Sequence, residues 1–335
     1  MLGSPLFVLF TSPRAGNPLN AILRNLGAFI LGLSLVWLQV PVQGRTELAL
    51  RPAFAGQVDG LSRRIPSRAS SALTGSQFVQ SVLAMDGRQR ERAVLQEVLH
   101  GNVPSFLRRL VPVTLAAQSA HALPATVFVM PDYLAIGSDD DFLRIPMNLE
   151  TATAIASQFG FLLPTKRIVN AVYAQSAFHF VPEPLTPGPQ MSSTEYYRRH
   201  NEMIDAQARA GAVAPGWLVS GHKKDVVVTN LLARTPGRIA IYGWQRPGGT
   251  PIQPLSTVHG ACYEDYSHGI RLVSEMAWER GGLRPVRDIL QDPVEAPVLS
   301  DEGPLLSVFA DGTQPAATLA TFAPGFCSSG TRAAN

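Results

Sequence analysis

The stretch Trp217-Leu-Val-Ser-Gly-His-Lys-Lys-Asp-Val-Val-Val-Thr229 sets two apolar runs on either side of a charged centre. Runs of this length, rich in valine and bounded by polar residues, read as short strands. From here to the C-terminal side the pattern stays β-rich. Arg238–Trp244 and Gly269–Val273 are further strand candidates, and Leu283–Leu290 reads as a short amphipathic helix. On the N-terminal side the period changes. Ser76–Leu83 and Arg88–Leu99 carry apolar residues at helical spacing, with Val94, Leu95, Val98 and Leu99 as one stripe. Leu149–Phe159 and Thr165–Ser176 also read as helices, with Thr165 as N-cap. Ser192-Ser-Thr-Glu195 has the pattern of a capping box with Ser192 at the N-cap, opening a helix to about Ala210. Between them Ala125–Met130 and Tyr133–Ile136 read as strands around the turn Pro131-Asp132. The expected fold is therefore α+β: an N-terminal helical part with short strands, and a C-terminal half forming a mainly antiparallel sheet.

Composition agrees with a folded body. Of the 335 residues 46% are hydrophobic and 16% charged, outside the range of a disordered chain. The net charge of +3 is unevenly spread. Residues 1–70 hold seven arginines and two acids, so the remainder is slightly acidic. A body without a basic footprint argues against nucleic acid as a partner. Arg24 is followed by an uncharged apolar run through Val42 and then small residues, the order found in an export signal. The run is also near the ~20 residues that span a bilayer. The expected organisation is a signal peptide or N-terminal anchor over 1–44, a tether over 45–70, one domain over 71–305 and a tail over 306–335. The protein is expected to be periplasmic, secreted or held at the membrane through the N-terminal segment alone. Cys262 and Cys327 allow one intramolecular pairing, which would pin the tail.

Two segments carry the chemistry. Ser220-Gly-His-Lys-Lys-Asp225 puts a histidine, two lysines and an aspartate in sequence. Such groups are costly to bury, so a turn is expected. The second is Thr257-Val-His-Gly-Ala-Cys-Tyr-Glu-Asp-Tyr-Ser-His-Gly-Ile-Arg271. If extended, it turns Tyr263, Asp265, Ser267 and Arg271 one way and Tyr266 and His268 towards the core. His222 and His268, oriented by Asp225 or Asp265, have the residue types of an acid–base pair. Lys223, Lys224 and Arg271 could face a developing oxyanion, and Tyr263 and Tyr266 could contact substrate. Cys262 and Ser267 are candidate nucleophiles.

Gly260–His268 resembles the nucleophile segment of transglutaminase-like cysteine enzymes. Those enzymes place a histidine and then an acid downstream of the cysteine. Here the only later histidine is His268, too local for that role, so the resemblance is not adopted. No Gly-x-Ser-x-Gly elbow and no His-Glu-x-x-His pair occurs. No cofactor is expected, and a zinc-dependent variant would draw on His222, His259 and His268. Asp139-Asp140-Asp141 lacks the longer loop of a calcium site and reads as a solvated turn. The functional expectation is an exported hydrolase acting on a cell-envelope or extracellular polymer. A lyase is a variant of that reading. The rival class is a non-catalytic envelope or ligand-binding protein.

Overall fold

A computed structural model describes residue 58 and residues 60–118 and 122–305. The chain divides into two units, Met1–Val42 and Gln43–Asn335, and every described residue belongs to the second. The segment expected to direct export, the expected tail and Cys327 lie outside the described residues. Among the described residues no helix is long and apolar enough to cross a membrane. Residues 60–70 are turns packed on the body: Ile65 is buried, and Arg68 donates to Asn102 and to the Ala72 and Leu73 carbonyls.

The protein is α+β, with helices and antiparallel sheets. Helices α1 (Gly75–Val82) and α2 (Gly87–Leu99) each begin with a capping box, Thr74 with Gln77 and Asp86 with Gln89. Strands β1 (Val111–Leu115), β2 (Ala125–Val129), β3 (Ala135–Gly137) and β4 (Phe142–Arg144) follow. The turn at Pro131-Asp132 does not close a hairpin. β2 pairs with β1, and β3 pairs with β4 across the acidic turn. That turn is structural. Asp139 accepts from the Ser105 and Phe106 backbone N–H groups, and Asp141 accepts from the Ser76 N–H and hydroxyl. These are donors that a helix start leaves open.

Helix α3 (Leu149–Phe159) leads to β5 (Phe161–Leu162), and α4 (Lys166–Gln175) is capped by Thr165 as its sequence indicates. β6 (Phe178–His179) precedes α5 (Thr194–Ala210). The N-cap of α5 is Ser193, one residue later than the capping-box pattern indicates. Glu195 binds Arg198 instead, and the Ser192 hydroxyl donates to the Glu264 carbonyl. Ser192 thus ties the helix entry to the polar segment.

The second half contributes β7 (Val219–Ser220), β8 (Lys224–Val226), helix α6 (Leu231–Arg234), β9 (Ile241–Gln245), β10 (Pro251–Ser256) and β11 (His268–Gly269). β12 (Val273–Glu279), β13 (Gly282–Pro285), α7 (Val286–Gln291) and α8 (Ala296–Leu299) complete it. One sheet runs β1-β2-β12-β13, with β5 also on β12; the other runs β10-β9-β8-β11. All these pairings are antiparallel except β8 with β11. β12 is central although Val273-Ser-Glu-Met-Ala-Trp-Glu279 has no clean strand alternation. Glu279 is buried at its end because Arg284 pairs with it. Pro112 is accommodated because β1 is an edge strand.

Candidate functional site

The charged segment 222–225 does not form an exposed turn. His222, Lys223 and Asp225 are buried, and Lys224 is half-buried. Burial is tolerated because partners come from distant parts of the chain. His222 Nε2 donates to Asp132 Oδ1 at 2.9 Å, and Asp132 Oδ2 takes Arg144 Nε at 2.8 Å. Arg144 continues to Asn201 and Asp205 on α5. The His222 ring lies edge-on between Tyr133 and Phe180, with centroids 4.7 and 4.5 Å away. Burial raises the Asp132 pKa, but Arg144 and His222 outweigh it and hold the carboxyl well below its usual range. Burial drives His222 down to about 4 against the pull of Asp132.

Asp225 meets Tyr133, whose hydroxyl donates to Oδ2 at 2.8 Å. Burial raises Asp225 to about 6, opposed by Arg271 and by the tyrosine. Arg271 is fully enclosed and donates to the Met130 and Val219 carbonyls. Lys223 Nζ donates to the Tyr266 carbonyl at 2.7 Å, and burial followed by Arg144 lowers it to about 7. The space left by Gly269 is filled by the protein itself. A Cβ there would lie 2.6 Å from the Tyr133 ring and 2.9 Å from the Lys223 Cβ.

Parallel pairing of β8 with β11 sets His268 opposite Lys224. Residues 263–267 are not a strand, so the expected alternation of faces does not arise, and 264–272 are buried throughout. Asp265 Oδ1 accepts the Ser267 N–H and hydroxyl, and Tyr263 donates to Oδ2 at 3.1 Å. His268 Nε2 stands 3.9 Å from that oxygen, beyond a hydrogen bond. Neither ring nitrogen of His268 has a partner, and both are buried. Burial brings His268 to about 4, with Asp265 pulling up and Lys224 and His259 pushing down. Burial raises Asp265, but His268, Lys224 and the Ser267 bonds overcome it and leave it at about 2. With His268 neutral, Lys224 and Ser267 keep the carboxylate ionised. Burial and then Asp265 raise Tyr263, so its phenol stays protonated.

The outer edge of this group is reachable. Tyr263 and His259 are half-buried and stack at 4.2 Å with their planes 16° apart. Cys262 is exposed beside them, and the expected pairing with Cys327 lies outside the described residues. Lys224 Nζ lies 5.5 Å over the ring of Trp244. Trp244 has φ 55, a left-handed conformation costly for a large side chain, and its indole N–H is unpartnered. The zinc set of His222, His259 and His268 is divided between these two groups: His222 bonds Asp132, and His259 stacks on Tyr263. Among the described residues no cluster of three metal-ligating side chains is positioned to hold an ion.

Several contributors escaped the sequence reading. Asp132 reads as a turn residue, and Arg144 lies in no segment that the sequence singles out for chemistry. His200 and Asn201 lie on the buried stripe of α5 with Tyr197 and Ile204. A histidine and an asparagine on an otherwise apolar helical stripe were the available signal. The chain matches no family model, no curated protein and no solved structure.

Proposed function

We propose that this protein is an exported hydrolase of a cell-envelope or extracellular polymer, with its acid–base site on His268 and Asp265. One observation carries the reading. His268 has two unpartnered ring nitrogens, with Nε2 3.9 Å from an ionised carboxylate, beneath a half-buried lip of His259 and Tyr263. Buried polar atoms are nearly always bonded, and exceptions concentrate where chemistry is done. In this reading neutral His268 takes a proton from water, and Asp265 steadies the imidazolium that forms. Lys224 faces the developing negative charge. Tyr263 is fixed by its bond to Asp265, and the His259 ring stacked on it closes the lip over the base. His222, Asp132, Asp225 and Arg271 hold the framework. The substrate class rests on the export signal together with this polar group.

The test is hydrolysis of purified peptidoglycan and soluble envelope polysaccharides, read as release of amines or reducing ends. His268→Ala should lower kcat on the order of a hundredfold or more. His259→Ala should act mainly on KM. The acid limb of kcat/KM should fall near pH 4, the value for His268, rather than near the ~6.5 of an unperturbed histidine. Turnover unchanged in both variants would remove the assignment.

A further inference from the structure

A well-formed concavity among the described residues shares none of the His268 group. It measures about 470 Å³ and lies among α1, the β3–β4 turn, α5 and residues 213–219, with Asp132 and Arg144 among its lining residues. Its volume falls within the ordinary range for ligand pockets.

Trp217 is the side chain that points to an occupant. It lines the cavity and is 45% exposed, a large apolar surface left open in a wall that mixes charged side chains with Val79, Phe106, Phe142 and Phe180. The backbone holds it there. Ala214-Pro-Gly-Trp217 is a turn in which the Trp217 N–H donates to the Ala214 carbonyl at 3.2 Å. Pro215 takes the second position and Gly216, at φ 89, the third, the residue types a type II turn requires. Leu218 and Val219 follow directly into the core. The indole is therefore carried on a short arm anchored at both ends.

The charges around Arg144 and Arg198 are paired within the wall. Arg144, itself 96% enclosed, binds Asp132 and Asp205, and Arg198 binds Glu202. An anionic ligand would meet these carboxylates, and a cationic one would have to displace arginines already bonded to them. A neutral ligand bearing many hydroxyls meets neither cost. Each hydroxyl can donate to a carboxylate oxygen and accept from a guanidinium. The apolar face of a sugar ring matches an exposed indole. We infer that this cleft is a binding site for a neutral oligosaccharide, stacked on Trp217 and hydrogen-bonded to the paired charges of α5 and β4.

Calorimetric titration with tetramers of glucose, mannose and N-acetylglucosamine tests it on the full chain. At least one should bind, Trp217→Ala should weaken it roughly tenfold, and Trp217→Phe should retain most of the affinity. His268→Ala should bind as the wild type does, which separates this site from the hydrolytic one. Binding by none of the three, or equal binding by Trp217→Ala, would overturn the inference. So would Trp217-dependent binding of tetralysine without binding of a sugar, since the cleft would then be a peptide site.

Discussion

His222 with Asp132 and His268 with Asp265 are two histidine–carboxylate pairs, both enclosed and both flanked by lysine and tyrosine. They differ in how their polar atoms are satisfied. Asp132 bonds His222 at 2.9 Å and Arg144 at 2.8 Å, and aromatic rings close on the imidazole, whose Nδ1 alone is unpartnered. Asp265 is saturated by Ser267 and Tyr263, and His268 is left at 3.9 Å with both nitrogens unpartnered. The first arrangement spends its hydrogen-bonding capacity on joining the Asp132 turn, β4 and α5. The second keeps capacity in reserve. Residue type and burial are alike in the two pairs, so whether the imidazole is bonded to its carboxylate is what separates them.

The strongest way to break this comparison is to remove each carboxylate. Asp132→Ala strands Arg144 and His222 in a buried network and should cost about 3–5 kcal/mol in urea unfolding. Asp265→Asn keeps an acceptor for Ser267, lets its NH2 donate to the Tyr263 oxygen, and should cost about 1 kcal/mol. If the second loss equals or exceeds the first, the division of roles is wrong.

Acid titration is the next test. His222 and His268 both sit at about 4 when folded, below the ordinary histidine value of 6.5. Between pH 6.5 and 4 the unfolded chain therefore binds protons that the folded chain does not. Stability should be full above pH 6.5 and fall as pH drops towards 4, by up to about 3 kcal/mol for each histidine. His268→Gln should remove one histidine's share of that slope. A flat profile over this window would show that neither imidazole is held neutral.

The last test lies on α2. Glu91 is raised above its ordinary value by burial first and by the Glu264 charge second, and its Oε2 has no partner. A raised carboxyl stabilises the fold below its unfolded pKa of 4.5, and that contribution is lost as pH rises through the folded value. Glu91→Gln should therefore gain stability relative to the wild type as pH rises from 5 to 9. Equal denaturation midpoints at both pH values would remove the buried proton from the account.

Local pattern carried most of the helices. Thr165 caps α4, and the stripe through Val94, Leu95 and Val98 is the buried face of α2. It carried the strands less well. β12 was hidden because Glu279 sits where a strand of the core would place an apolar residue, and only the pairing with Arg284 allows it. β1 was hidden by Pro112, which only an edge position tolerates. The two polar segments were visible as dense runs of titratable side chains. Their burial was not, because the groups that compensate it lie far away in sequence: Asp132 is 90 positions from His222.

Sequence alone determined the α+β class, most helix boundaries and the segments in which acid–base residues concentrate. These follow from periodicity and capping, which act over a few residues. Tertiary structure alone decided that His222 bonds a carboxylate and that His268 does not. It also decided that Arg144 serves Asp132 and that Trp217 stands at the edge of a cleft. Hydrogen bonding inside a core depends on distance and direction between groups brought together by the whole fold, and no local pattern encodes those.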